Sequence, residues 1–154
     1  MEKIVHKRLN AFLEPLLSKK QSGFRRKDGT SPQLIRLVQE WSTSLDASDL
    51  VGIIFFDFRK AFDRVCLPGL LVKLRSTGLC GKALSWCESF LTNRCQRVRV
   101  GSHVSSPEFL RAGVPQGAIL SPLFFNIYIN DIVECTNAEV NLFADDTSVY
   151  VTEK

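Results

Sequence analysis

VGIIFFDF, residues 51 to 58, and VNLFADDTSVYVT, residues 140 to 152, decide how this chain is read. Both are apolar runs of strand length, and both carry acids where water is not expected. Asp57 stands near the end of the first, and Asp145 and Asp146 interrupt the second. The first run predicts a strand over 50–58, buried on both faces because its apolar residues are continuous rather than alternating. The second predicts two strands that meet at Asp145–Asp146. Carboxylates at the ends of buried strands are poor candidates for ordinary surface charges.

Set side by side in one sheet, these strands bring three carboxylates to a single edge. Two like charges 4 Å apart repel by about 4 kcal/mol at an effective dielectric of 20. A site answers that repulsion by protonating one member or by taking a cation. Hard divalent ions suit all-oxygen donors, and Mg²⁺ takes one or two carboxylates together with substrate phosphates. Two such ions about 3.5–4 Å apart can clamp the attacking and leaving oxygens of a phosphoryl transfer. Each acid also has a plainer reading. Asp57 fits a turn cap or an arginine partner, and Asp145–Asp146 fits a simple hairpin tip.

Around these runs the chain reads as helices interleaved with a few strands. Residues 2–17 carry Ile4, Val5, Leu9, Phe12, Leu13, Leu16 and Leu17 at helical spacing. A second helix is expected from Ser31 as N-cap with Pro32 in its first turn, burying Leu34, Ile35, Val38, Trp41 and Leu45. Pro68 opens a short helix that ends near Gly78, and Gly81 precedes another. CQRVRV, residues 95–100, alternates as a half-exposed strand with Arg97 and Arg99 on one face, and EFLRAGV, residues 108–114, is its expected hairpin partner. Pro122 starts a helix through LFFNIYINDI. The pattern implies α/β or α+β, with helices packed on a small sheet.

The 154 residues, 45% apolar and 23% charged, fit one globular domain. No run approaches the roughly 20 apolar residues of a membrane span, and the charged N-terminal stretch is unlike a secretory signal. An intracellular location, nuclear or cytoplasmic, is the expectation. The five cysteines form no CxxC pair and read as reduced packing residues rather than a zinc site or disulfide framework. His6 and His103 lie far apart and suggest no catalytic imidazole. The net charge is only +4, but basic residues crowd two segments. One runs from Lys3 to Arg36 and includes Arg25, Arg26 and Lys27; the other holds Arg94, Arg97, Arg99 and Arg111. Such segments suit a nucleic-acid backbone or, equally, a solvated face.

Four stretches, in order, resemble reverse transcriptases of the non-LTR (LINE-like) retrotransposon type. They are QSGFRRKDGT at 21–30, IIFFDFRKAFDRV at 53–65, AGVPQGAILSPLFFNIYINDI at 112–132 and FADDTSVY at 143–150. The resemblance covers essentially the whole chain, and the combination is far more specific than a lone pair of aspartates. It implies an α+β, polymerase palm-like fold: a small antiparallel sheet with helices packed on one face, and part of the fingers. A single partial domain over 1–154 is implied, with finger and palm helices over about 1–49 and the palm over about 50–154. It also implies that the first finger motifs, the primer grip and the thumb lie outside this chain.

By the same resemblance, Asp57, Asp145 and Asp146 are the catalytic acids. Together with the backbone carbonyl of Phe58 they hold two Mg²⁺ ions, or Mn²⁺. Phe62 lies under the incoming sugar and excludes a 2′-hydroxyl; its plain reading is a core phenylalanine. Gln116 sits near nucleotide and template, and Gly117 lets the backbone approach there. Ser121 and Pro122 start the helix beneath the primer–template. Arg25 is template-side or structural, and Arg97 and Arg99 are further nucleic-acid candidates. Arg59 and Lys60 face the triphosphate or solvent. Asp63 is outside the metal motif and has Arg64 or another base as its expected partner. The implied partners are an RNA template, a DNA primer and dNTPs, with no membrane. Two functions follow: an RNA-directed DNA polymerase palm that needs its missing parts, or an inert retrotransposon remnant that binds nucleic acid or nothing.

Overall fold

The computed structural model describes residues 1–26 and 28–154; Lys27, counted above in the first basic segment, lies outside the described residues. Helix α1 spans Glu2–Leu13 and passes into a 3-10 turn over Glu14–Leu16. The single helix expected over 2–17 therefore stops early. Pro15 has no N–H to donate to the preceding turn, and its ring crowds the carbonyl four residues back. Helix α2 spans Thr30–Asp46, with Gly29 rather than Ser31 as N-cap.

The buried face of α2 also differs from expectation. Gln33 and Leu37 are buried, while Leu34, Ile35, Val38 and Leu45 are exposed. Periodicity identifies an apolar stripe, but the neighbouring layer selects which row docks. Here the row 33–37–41 turns to the sheet. Gln33 donates through Nε2 to the Leu142 carbonyl at 3.2 Å, and Trp41 meets Tyr150 edge-on at 6.1 Å between ring centroids.

Strand β1 spans Leu50–Phe56, helix α3 Leu67–Ser76 and helix α4 Gly81–Leu91. Four short strands follow: β2 at Arg94–Gln96, β3 at Arg99–Val100, β4 at His103–Val104 and β5 at Glu108–Leu110. They form the expected hairpin in two parts, β2 with β5 and β3 with β4. The ladder breaks at Arg97–Val98, where Ser105 spans the gap. Its Oγ accepts the Val98 N–H at 3.0 Å, and its own N–H donates to the Val98 carbonyl at 2.9 Å. Helix α5 spans Ser121–Ile129 and continues as a 3-10 turn over Asn130–Glu134. Strands β6, Glu139–Phe143, and β7, Asp146–Glu153, close the chain as a tight hairpin.

The main sheet is antiparallel in the order β1-β7-β6. Val140 and Leu142 of β6 face a core that also takes Leu13 of α1, Leu70 of α3, Leu91 of α4 and Phe124 of α5. Helix α5 is apolar nearly all round and buried accordingly. The outer edge of β6 is covered by residues 20–22. Ser22 donates its N–H to the Leu142 carbonyl at 2.9 Å, and Leu142 donates to the Lys20 carbonyl at 2.8 Å.

Burial of β1 on both faces is not observed. Leu50, Ile54 and Phe55 are 73%, 58% and 71% exposed. β1 is an edge strand, and a continuous apolar run is buried on both faces only where layers press on both; at its C-terminal end α2 faces Phe55 and Phe56 only across an open cleft. Among the described residues no helix is long and apolar enough to cross a membrane.

Candidate active site at the aspartate turn

The β1–β7 register sets the site. Phe56 pairs with Thr147, so the next step of the ladder places Asp57 opposite Asp146. On the other side of β7, Asp146 pairs with Phe143 of β6. Directly opposed residues share a face, so Asp57, Asp146 and Phe143 form one row on the side where α2 lies. They line a cleft of about 380 Å³ with Thr30, Gln33 and Leu37 of α2 and with Asn141 and Thr147. Asn141 is 1% exposed, and neither of its amide atoms has a hydrogen-bond partner among the described residues; the same holds for the Thr147 hydroxyl.

The backbone thus brings the three acids to one end of the sheet, but their side chains do not gather as expected. Among the described residues, no three His, Cys, Asp or Glu side chains group as a finished ion site. Asp57 and Asp146 line the cleft, while Asp145, half-buried in the two-residue turn between β6 and β7, is not among its lining residues. The donor set still fits a hard divalent cation. All donors are oxygens, and Mg²⁺ needs only one or two carboxylates when phosphate oxygens and water complete its shell. The Phe58 carbonyl accepts the Ala61 N–H at 3.1 Å, which leaves its second lone pair free.

The turn carrying Asp145 has an unusual conformation. Ala144 has φ 57°, in the left-handed region that L residues other than Asn, Asp and Gly rarely enter. Gly23 packs against it, and a Cβ at Gly23 would stand 2.1 Å from the Ala144 nitrogen. Only glycine tolerates that approach. Phe24, the next residue, reaches Phe62 edge-on at 5.9 Å, and Phe62 stacks on Phe125 of α5 at 4.5 Å. Phe62 is therefore half-buried and locked between two rings.

The loop before α5 leans on the segment after β1. Val114 donates to the Phe62 carbonyl at 2.9 Å and Gly113 to the Val65 carbonyl at 2.8 Å. Gln116 donates through Nε2 to Asp63 Oδ1 at 2.8 Å, so Asp63 holds Gln116 rather than Arg64 or another base. Gly117 has φ 78° with open space around it, so its conformation, not a close neighbour, requires glycine. Ser121 is the first residue of α5, with Leu120 as N-cap, and its hydroxyl donates to the Pro115 carbonyl. Lys60 and Gln116 border a polar cavity of about 570 Å³ with Asp63, Arg64 and Arg94, whereas Arg59 lies in a separate apolar cavity beside Lys73 and Tyr128.

Of the basic candidates, Arg25 is committed to the fold. It pairs with Glu14 at 2.8 Å and donates to the carbonyls of Ser18 and Gln21 at 2.7 and 3.2 Å. Of its two expected roles the structural one is observed. Arg94, given no individual role from sequence, binds the carbonyls of Leu91 and Gly113, and partial burial lowers its pKa. Arg97 and Arg99 are exposed on the hairpin.

A sequence model described as "Reverse transcriptase (RNA-dependent DNA polymerase)" matches residues 1–154. The chain belongs to the reverse transcriptase family. It is 33% identical over 139 residues to the probable RNA-directed DNA polymerase from transposon BS of Drosophila melanogaster, covering 89% of this chain and 15% of the relative. It is 38% identical over 116 residues to the RNA-directed DNA polymerase from mobile element jockey of Drosophila funebris, covering 75% of this chain and 13% of that one. These relatives bear out the resemblance to reverse transcriptases of the non-LTR type. The chain spans less than a fifth of the length of either.

In fold it is similar to a telomerase from Candida albicans solved with a fragment of telomeric RNA, at TM-score 0.71 and 15% identity over 96% of this chain and 30% of that one. A telomerase from Candida tropicalis gives 0.70 at 16% identity, over 97% and 34%. The α+β, palm-like reverse transcriptase fold is as expected.

Sequence reasoning missed Gln21, Gly23, Asp63 and Arg94. For Gly23 a signal existed in QSG, a glycine ahead of a basic loop, but the sequence gives no sign that Gln21 is buried or what it holds. For Arg94 and Asp63 no local pattern announces the partner.

Proposed function

We propose that this reverse transcriptase domain carries the acids for RNA-directed DNA synthesis by two-metal nucleotidyl transfer. The observation that supports it is the strand register that sets Asp57 opposite Asp146, beside Asp145, in a chain matched over its whole length by the family. A primer 3′-hydroxyl attacks the α-phosphorus of a dNTP, a phosphodiester forms, the bond to pyrophosphate breaks, and the hydroxyl proton passes to solvent. Asp57, Asp145, Asp146 and the Phe58 carbonyl would hold the Mg²⁺ ions, with Mn²⁺ as a substitute, and bound ions would supply neutralisation of phosphate charge. Phe62, fixed between Phe24 and Phe125, lies under the sugar and disfavours a 2′-hydroxyl. Gln116, braced by Asp63, meets nucleotide and template, and Gly117 leaves room for them. Arg97 and Arg99 contact template or primer phosphates. Positioning and charge neutralisation carry most of the rate in such chemistry.

We further propose that residues about 50–154 are the palm, that about 1–49 supply finger and palm helices, and that this chain alone turns over weakly or not at all. The support for weak turnover is the open apolar surface of β1 and α2 beside the site. The test is extension of a DNA primer on an RNA template by the purified chain in Mg²⁺. Little or no product is expected, and vigorous incorporation overturns the claim of weakness. Any product formed should vanish in Asp145→Asn. Near-normal synthesis by that variant removes the assignment of the acids.

A further inference from the structure

The chemistry above makes no use of Gln21, yet Gln21 is fully buried against the aspartate turn. Its Oε1 accepts the Ala144 N–H at 3.0 Å and the Gly23 N–H at 2.7 Å, and its Nε2 donates to the Ala144 carbonyl at 3.3 Å. One side-chain amide thus satisfies both backbone polar groups of the residue that precedes Asp145. That residue is the one at φ 57°. Two-residue hairpin turns ordinarily rely on glycine or asparagine for this conformation; Ala144–Asp145 offers neither. Backbone strain of this kind persists only where the surroundings over-determine it, and it concentrates at functional sites. The surroundings here are specific. Asn126 of α5 donates to the Gly23 carbonyl at 2.8 Å, and Lys20 and Ser22 bracket Leu142 through the backbone.

We propose that Gln21 is a positioning residue for Asp145 and Asp146. Its amide fixes Ala144 in the left-handed conformation and so sets where the two carboxylates emerge relative to Asp57. The inference rests on reading these aspartates as ligands of divalent ions. It adds to the site a residue 123 positions before Ala144 in sequence. A clip that served stability alone would lower the melting temperature without touching ion affinity, and that difference makes the proposal testable.

The experiment measures Mn²⁺ binding by electron paramagnetic resonance on the whole 154-residue chain, at a temperature where circular dichroism shows each variant folded. Wild type, Asp145→Asn, Gln21→Met and the double variant Gln21→Met/Ala144→Gly are compared. Gln21→Met keeps the volume and removes the hydrogen bonds. It should weaken Mn²⁺ binding by about 10–100-fold, the range for lost support behind a metal ligand. It should also strip hydrogen-exchange protection from the Ala144 amide. Adding Ala144→Gly should recover thermal stability, because glycine accepts the turn unaided, but not ion affinity, because a glycine turn is no longer held in one direction.

Unchanged affinity in Gln21→Met, with binding still lost in Asp145→Asn, overturns the positioning role and leaves the aspartate assignment standing. Recovery of affinity together with stability in the double variant also overturns it. Wild type binding no more tightly than Asp145→Asn sinks the ligand reading itself, and the inference with it. An Ala144 amide equally protected in wild type and Gln21→Met shows that the clasp does not hold the turn.

Discussion

Gly23 is the residue whose replacement has the clearest expected cost. A methyl group there would overlap the Ala144 backbone, and overpacking against backbone in a tight core costs up to about 3 kcal/mol. Gly23→Ala should therefore lower stability by roughly that amount in a urea titration, with the aspartate turn displaced. Arg25→Gln should cost about 2 kcal/mol, because charge-assisted bonds to Glu14 and two carbonyls are lost. The same titration checks it, and RNA binding by the folded variant should be unchanged. Cysteine chemistry separates the buried residue from the rest. Burial raises the Cys87 pKa to about 11, while Cys66, Cys80, Cys95 and Cys135 are exposed. Less thiolate at a given pH means slower alkylation. Brief iodoacetamide treatment at pH 8 followed by mass spectrometry should label the four exposed cysteines and spare Cys87.

The place of the acids at the ends of two apolar runs was legible, but the burial expected there was not observed: Asp57 and Asp146 are exposed and Asp145 is half-buried. The clasp was not legible. A glutamine in a loop announces neither its burial nor a partner more than a hundred residues away.

Among the elements, β1 shows what patterning can and cannot decide. Its existence and its start follow from an apolar run, but it ends at Phe56 rather than at 58, and its pairing with β7 does not follow from patterning. Its burial does not follow, because burial belongs to the layers above and below. The same holds for α2, whose apolar stripe and docked row are different faces. Pro15 and Pro122 are the opposite case, since a missing N–H acts locally and fixes a helix end or start without help from the fold. An open apolar edge strand is a template for unwanted pairing. Leu50→Lys and Ile54→Lys together should change unfolding free energy by no more than about 0.5 kcal/mol per site. Light scattering at matched concentration should fall. A rise in scattering, or a large loss of stability, would mean that β1 is covered in solution.

For the whole molecule, the question is how charge meets a polyanion. The sequence shows two basic segments, but the structure divides their labour: Arg25 and Arg94 hold backbone carbonyls, while Arg97 and Arg99 project from the exposed hairpin. If the hairpin tracks phosphates, the log–log salt dependence of RNA binding should lose about one unit of slope for each of Arg97→Gln and Arg99→Gln. Fluorescence anisotropy over a salt series checks this, and a wild-type affinity indifferent to salt removes the phosphate track.

The order β1-β7-β6 has a bearing on how the molecule is made. The central strand is synthesised after both of its neighbours, and it must slide between two strands made before it. Residues 20–22 likewise wait for Leu142. Contacts this distant in sequence form slowly, because chain closure comes before any gain from pairing. A nascent chain not yet extended through β7 would hold β1 and β6 apart with the gap between them unfilled, and the acidic turn would have no fixed shape.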